Sequence, residues 1–315
     1  MKKIPVIAIV GPTASGKTSL SVEIAKRFSG EIVCADSMQI YKGMMVASAV
    51  PTNEEKQGIP HHLFEFLSPL RRFTVADYVN VAKPIIKDIY SRGKIPVVVG
   101  GTGLYIDSLF KNITFTCESD TQADKIRVQL ENEYDSGKAE QMLKRLEEID
   151  PKTASRLHTN DKKRIIRALQ VYLLHNKTMS QLNEESLREP SPFNVTYIGL
   201  RFSDRQKLYE RINKRVDIMV RNGLIAEAES TFNLVKDSPY YNTAFQAIGH
   251  KELYPYFSSI DNLEDCIEKL KQSTRRYAKR QMTWFNRNKD INWIDCDLSD
   301  SVFDSAIEIL KNKEF

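Results

Sequence analysis

Cysteine is scarce: four residues in 315, Cys34, Cys117, Cys266 and Cys296. No two stand at CxxC spacing, which argues against a zinc ribbon or a dithiol redox motif. A chain of this length needs no disulfide staples, so reduced thiols and a cytoplasmic location are expected. Long apolar runs are also missing. No stretch reaches the roughly 18 residues of a membrane span. The start, Met1-Lys-Lys-Ile-Pro-Val-Ile-Ala-Ile-Val10, has too short an apolar run for a secretory signal and no small-residue cleavage site. A strong excess of one charge is absent as well. The net charge is +5, so the distribution of charge carries more information than its total. Internal repeats and low-complexity tracts are not visible. What remains, 41% hydrophobic and 28% charged residues, is the balance of an ordinary globular protein with room for two domains.

Val6 to Val10 is a continuous apolar run, as in a strand buried on both faces of a parallel sheet. Glu31 to Ala35, Ile95 to Val99 and Tyr197 to Leu200 read as further strands. Lys17 to Phe28 reads as a helix with Leu20, Ile24 and Ala25 on one face. Strands alternating with helices predict an α/β fold with a parallel sheet. From Glu118 to about Pro190 the periodicity is helical, with no convincing strand. That stretch opens on acidic residues (Glu118, Asp120, Asp124, Glu131, Glu133, Asp135) and closes on the linker Glu189-Pro-Ser-Pro192. The expected organisation is an α/β core, 1–117 and 191–315, with an inserted helical domain, 118–190. After Leu200 the chain reads as mostly helical. Ser203, with Gln206 three residues on, fits a capping box. Leu208, Ile212, Val216 and Met219 make the apolar stripe of that helix, and Gly223 ends it. A long final helix is expected from about Asn262 to Asn286.

The strongest local signal is Gly11, Pro12, Thr13, Ala14, Ser15, Gly16, Lys17 and Thr18. It matches GxxxxGK[ST] at every fixed position, between a predicted strand and a predicted helix. Such a loop turns successive N–H groups towards phosphate oxygens, and the helix N-terminus adds its positive dipole end. Lys17 supplies a point charge, and the Thr18 hydroxyl suits Mg²⁺. A nucleotide hydrolase also needs an acidic residue after a later strand. Ile95 to Val99 runs instead into Gly100-Gly-Thr-Gly103. That argues against a motor-type ATPase and leaves small kinases and other phosphate-handling transferases.

Asp36-Ser-Met-Gln-Ile-Tyr41 follows the second strand. Ligands of doubly wound sheets sit beyond the carboxyl ends of strands, so this loop belongs beside the phosphate loop. Asp36 suits a general base or a metal-shell ligand there, and equally a helix cap. The Gln39 amide has the donor and acceptor to read an adenine edge.

With these residues in place the chain resembles the tRNA dimethylallyltransferases. The resemblance rests on the two loops just described and on Ile59-Pro-His-His-Leu63, Gly100-Gly-Thr-Gly-Leu-Tyr105 and Asn160-Asp161 with Arg164-Ile-Ile-Arg-Ala-Leu169. It rests further on Ala247-Ile-Gly249 with Lys251-Glu252, and on Tyr277-Ala-Lys-Arg-Gln281 with Thr283-Trp284. The order is preserved over nearly the whole chain. His250 departs from it, at a position where tyrosine is expected.

The resemblance implies a P-loop NTPase-like core and transfer of a dimethylallyl group from its diphosphate to N6 of adenosine 37 of tRNA. The phosphate loop then holds a prenyl diphosphate rather than ATP, with Mg²⁺ on Thr18. Asp36 is the implied base and Arg215 a second cation for the diphosphate, with Arg211 one turn earlier as the alternative. The adenine must leave its stack to be reached; Ser37, Met38, Gln39 and Thr102 are the implied contacts. The implied partner is the tRNA anticodon stem-loop, met by a monomer. Asp124, Asn160, Asp161, Lys162, Lys163, Arg164 and Arg167 of the inserted domain are the implied tRNA contacts there. From Lys269 to Lys289 there are eight basic residues and no acidic one, with Tyr277, Trp284 and Phe285 between them. Lys279 and Arg280 are the implied tRNA contacts of this helix. Cations that track a backbone and aromatics that stack on bases suit single-stranded RNA, although Trp284 reads better as core. His61 and His62 have no accompanying ligand set and read as loop-positioning residues rather than a metal site. A small-molecule P-loop kinase and a non-catalytic tRNA-binding protein are the rival readings. The first does not use the basic helix, and the second does not need Asp36 or Lys17.

Overall fold

The computed structural model describes residues 3–113, 121–188, 190–236, 243–311 and 313. The chain divides into two compact units: Met1–Phe110 with Pro192–Phe315, and Lys111–Ser191. Cys117, Glu118, Asp120 and Glu189, which mark the expected domain borders, lie outside the described residues.

The first unit is built on a six-stranded sheet. Its strands are β1 (Ile4–Val10), β2 (Glu31–Cys34), β3 (His61–His62), β4 (Pro96–Gly100), β5 (Phe193–Arg201) and β6 (Ile291–Asp295). Every pairing is parallel, in the order β3-β2-β4-β1-β5-β6. Ile7, Ile9, Ile32, Val97, Val99, Ile198 and Leu200 join Leu20 and Ile24 of the Lys17–Arg27 helix and Ala306 and Leu310 of the Val302–Lys311 helix in one core cluster. The alternate residues Val6, Ala8 and Val10 are just as buried. A strand with both faces covered has no polar position to spare, which is why β1 reads as an unbroken apolar run.

Two strands went unrecognised in the sequence. β3 has only two residues, too few for any periodicity. β6, at the sheet edge, buries Ile291 and Ile294 but exposes Asn292, with no regular alternation, and it follows a strong helical signal. The Leu263–Phe285 helix is therefore not the last element; the chain returns to the sheet and ends on the Val302–Lys311 helix. The cap at the start of the Arg205–Arg221 helix also differs from expectation. Asp204, not Ser203, accepts the Gln206 N–H, at 2.8 Å. The Ser203 N–H and hydroxyl bond Asp297 instead, which ties this turn to the residue two past β6.

Among its described residues the second unit is helical throughout: Thr121–Glu133, Ala139–Ile149, Pro151–Ala154, Lys162–His175 and Met179–Arg188, with a π-type turn at Tyr134–Lys138. Leu130, Met142, Leu146, Ile165, Ile166 and Leu169 form its core. Leu173, later in the same helix, is 45% exposed, whereas Ile165 is fully buried.

Candidate active site

Strand register sets the site. Val10 lies opposite Gly100 on one side and Gly199 on the other. Cys34 lies opposite Val99. The turns after β1, β2 and β4 therefore emerge side by side at the carboxyl edge of the sheet, where open α/β folds bind ligands.

The phosphate loop leaves β1 at Gly11. A Cβ there would come within 2.5 Å of the Leu200 carbonyl oxygen, and φ is +146°. Only glycine fits both conditions. Ala14 is left-handed without being glycine (φ +63°), and Arg211 Nε donates to its carbonyl at 3.1 Å. Strained backbone held by its surroundings is common in binding loops. The Ser15 hydroxyl is buried without a partner among the described residues, as suits a group waiting for a ligand oxygen. Lys17 Nζ donates to the Pro12 carbonyl at 2.6 Å. Burial, and after it the nearby Arg215 charge, pull Lys17 down to about 7, against the opposing pull of Asp36. Burial likewise lowers Arg215, again opposed by Asp36. Two cations and one carboxylate therefore share the mouth of the loop.

Asp36 follows β2. Its Oδ1 accepts the Met38 N–H at 2.9 Å, a local turn that fixes the carboxylate. The Ser37 N–H donates to Thr102 Oγ1 at 3.1 Å, so the turns after β2 and β4 are joined. The position after β4 carries no carboxylate, as the sequence indicated, and the acidic group of the site comes from β2.

Gln39 is placed differently from expectation. Its amide nitrogen donates to the carbonyls of Ser48 and Ala49, both at 3.0 Å, and its oxygen accepts from the Cys34 thiol at 3.3 Å. Both amide hydrogens are therefore taken, and Gln39 could read an adenine edge only by releasing one of these carbonyls. It braces the short Met45–Ser48 helix instead.

The other end of that helix is held by Glu227, a residue the sequence did not single out. Glu227 accepts the N–H groups of Val46 at 2.6 Å and Ala47 at 2.9 Å. His250 Nε2 lies 3.1 Å from the same carboxylate, fully buried. This is the role of the histidine that departs from the expected tyrosine. Glu227→Ala removes the acceptor shared by two part-buried N–H groups and the buried His250 ring. The expected loss of folding stability is about 3 kcal/mol, read by urea titration. A loss below about 1 kcal/mol would show that the clamp contributes nothing special.

Gln281 and Tyr277 also enter the site, for reasons the basic run concealed. Gln281 is buried and bridges Thr13 N–H to the Gly101 carbonyl. The Tyr277 side chain lies within electrostatic reach of Asp36, close to Thr102 and Gln281, and burial drives its hydroxyl well above its ordinary value. Trp284 donates its indole N–H to Asp107 at 2.9 Å and packs against Gly103. It is a structural residue, as expected. Lys279 and Arg280 of the same helix are exposed, with Arg280 over the Tyr277 ring.

His62 Nε2 meets Glu31 at 2.8 Å beside Arg92 and Lys94, and the His61 ring meets the Ile59 carbonyl. Among the described residues no three His, Cys, Asp or Glu side chains gather as a metal site.

In the second unit Asp124 is exposed in the first turn of its helix, and Asn160 is exposed just before the Lys162–His175 helix. Asp161 accepts the His158 N–H and pairs with Arg164. Lys162 pairs with Asp135 at 2.5 Å and lies over Tyr134. Arg167 bonds Gln170 at 3.3 Å. Lys163 and Arg164 are exposed. No helix among the described residues is long and apolar enough to cross a membrane.

A parallel sheet with a phosphate loop at the end of a central strand, and a carboxylate within electrostatic reach of two cations there, defines a phosphate-loop enzyme. The IPP transferase family model matches residues 39–288, and the isopentenyl transferase model residues 4–69. A tRNA dimethylallyltransferase of Acetivibrio thermocellus is 46% identical over 311 residues, covering 98% of this chain and 96% of the relative. That of Bacillus subtilis is 44% identical over 294 residues, 93% of this chain and 91% of the relative. The crystal structure of a full-length tRNA isopentenylpyrophosphate transferase from Bacillus halodurans aligns with a TM-score of 0.70 at 40% identity, covering 99% of this chain and 95% of that one. A eukaryotic dimethylallyltransferase acting on tRNA aligns with a TM-score of 0.81 at 29% identity, over 99% and 81% of the two chains. The chain belongs to the tRNA dimethylallyltransferase family.

Proposed function

We propose that this chain transfers a dimethylallyl group from dimethylallyl diphosphate to N6 of adenosine 37 of tRNA, next to the anticodon. The observation that carries the reading is the position of Asp36 just past β2, beside the turns after β1 and β4 and within electrostatic reach of Lys17 and Arg215. An exocyclic adenine amine is a weak nucleophile because its lone pair is delocalised into the ring. A carboxylate at N6 takes the proton as the N6–carbon bond forms. On the other side of the carbon the carbon–oxygen bond breaks, and the electron pair leaves with the diphosphate. Loop N–H groups, Lys17 and Arg215 meet the growing charge.

The residues present suit Mg²⁺. The Thr18 hydroxyl opens the first helical turn, and the remaining ligands would be diphosphate oxygens and water, the usual arrangement for this ion. When bound, Mg²⁺ neutralises leaving-group charge. Ser37 and Thr102 stand beside Asp36 as contacts for the flipped adenosine. Lys279 and Arg280 on the first unit, and Lys163 and Arg164 with their neighbours on the second, supply cations for RNA phosphates. The protein acts as a monomer in the cytoplasm.

Incubating the purified protein with unmodified tRNA, Mg²⁺ and radiolabelled dimethylallyl diphosphate should leave label on the RNA. Phosphoryl transfer from ATP to a small acceptor, with no label on RNA, would replace this reading with that of a kinase.

A further inference from the structure

Asp36 is supported from behind by a thiol. Cys34, the last residue of β2, is fully buried. Its Sγ accepts the Asp36 N–H at 3.4 Å and lies 3.3 Å from Gln39 Oε1. Gln39 Nε2 donates in turn to the Ser48 and Ala49 carbonyls, both at 3.0 Å. The sense of each bond is forced. A carbonyl can only accept, so the Gln39 amide turns its nitrogen to Ser48 and Ala49 and its oxygen to Cys34. The thiol hydrogen goes to that oxygen, which is nearer than the Asp36 carbonyl at 3.9 Å. A sulfur lone pair is then left for the Asp36 N–H. Burial, and after it the Asp36 charge, hold the thiol well above its ordinary value, so the hydrogen stays on sulfur. The residue between the two is pinned from the other side: the Ala35 N–H donates to the Val99 carbonyl at 2.7 Å, and the Ala35 carbonyl accepts the Thr102 N–H at 3.2 Å. Asp36 is therefore the first residue past the sheet, and its backbone N–H is fixed by Cys34.

The far side of this frame is the Met45–Ser48 helix. Four residues are too few to hold a helix by themselves. Gln39 holds the end at Ser48, and Glu227 holds the N–H groups of Val46 and Ala47, with His250 Nε2 3.1 Å from the same carboxylate. The turn that carries His250 packs closely on the helix: a Cβ on Gly249 would come within 2.9 Å of the Ala47 Cβ. Secured at both ends, the helix gives Gln39 a fixed support, and Gln39 gives one to Cys34.

We propose that Cys34 and Gln39 are positioning residues for Asp36, which act on the transfer step through the place of its carboxylate and not by contact with substrate. This assignment rests on the reading of Asp36 as the base. A reacting group displaced by about 1 Å costs on the order of 10²-fold in rate, so weak bonds to sulfur matter here for direction more than for stability.

The test is single-turnover transfer of label from dimethylallyl diphosphate to unmodified tRNA by the full chain, with Mg²⁺ and saturating substrates, beside titration with inorganic diphosphate. Cys34→Ala and Gln39→Met should each slow transfer by about 10- to 100-fold. Both should bind diphosphate within about threefold of wild type, because the phosphate loop is not part of the frame. Cys34→Ser keeps a donor and an acceptor in place and should stay within about fivefold of the wild-type rate. The same substitutions are then combined with Asp36→Asn. With the carboxylate gone there is no base left to misplace, so each should cost at most about twofold more. A residue that only supports the fold would lower the unfolding midpoint, and its loss would multiply with that of Asp36→Asn. If Cys34→Ala does not fold, Gln39→Met carries the same comparison. Transfer within threefold of wild type in the single variants overturns the proposal, as do losses that multiply with Asp36→Asn; either outcome leaves Asp36 standing as the base. Transfer by Asp36→Asn within tenfold of wild type overturns both.

Discussion

Asp36→Asn should slow single-turnover transfer of label to tRNA by about 10² to 10⁴-fold, the range that a positioned general base supplies. The substitution is a clean one. The Asp36 Oδ1 that accepts the Met38 N–H can be replaced by the amide oxygen of asparagine, so the turn survives. The Ser37 to Thr102 bond does not involve the side chain and also survives. What changes is the ability to take a proton, and with it one negative charge opposite Lys17 and Arg215. Removing that charge lifts a repulsion from the diphosphate but also withdraws a group that favours the Lys17 ammonium, so diphosphate binding should be preserved or improved below pH 7, where Lys17 is protonated. Asp36→Ala should lose the turn in addition and fall further. A transfer rate for Asp36→Asn within tenfold of wild type, at saturating substrates, would move the base elsewhere.

The parts of this site that sequence revealed are those whose chemistry is local. The phosphate loop has to be contiguous, because one turn of backbone wraps one phosphate, and so Gly11 to Thr18 reads directly. Asp36 reads from its place after an apolar strand. The parts that stayed hidden are those whose partners come from far along the chain. Gln281 meets Thr13 across 268 positions, and Glu227 meets Val46 across 181. Neither has a spacing rule. Gln281 could have been noticed as a neutral amide in a stretch otherwise so basic, but an amide on a helix carries no address. Gln39 shows the reverse error. Its chemistry suits adenine, and its place beside Asp36 made that role attractive, yet backbone carbonyls ten residues away had the stronger claim. Buried carbonyls have to be paired, and a nearby amide is the cheapest partner. The strands follow the same logic. β1 and β4 announced themselves by continuous burial, whereas β6 at the sheet edge has a mixed pattern that a helix signal upstream overshadowed.

Lys17→Met should remove most of the transfer activity, by about 10² to 10³-fold, the loss typical when one charge-stabilising donor is deleted. Methionine keeps the length and apolar stem of the side chain, so the loss reports charge and donor capacity rather than packing. The same variant separates the contribution of Lys17 to binding. In the free protein burial and Arg215 hold Lys17 near about 7. A bound diphosphate favours the ammonium form and raises that value. Below pH 7 the ammonium is already present, and binding needs no proton there. Above pH 7 binding must take up a proton, so affinity should fall as pH rises, by at most about tenfold per unit. Titration with inorganic diphosphate in EDTA, between pH 6.5 and 8.5, reads this without a metal ion. The ligand has its own ionisation, which is common to both proteins, so the quantity of interest is the difference between wild type and Lys17→Met. The wild-type advantage should be largest at pH 6.5 and shrink steadily towards pH 8.5. A constant advantage across that range would mean that Lys17 stays charged throughout, and that Asp36 outweighs burial and Arg215 in setting its proton.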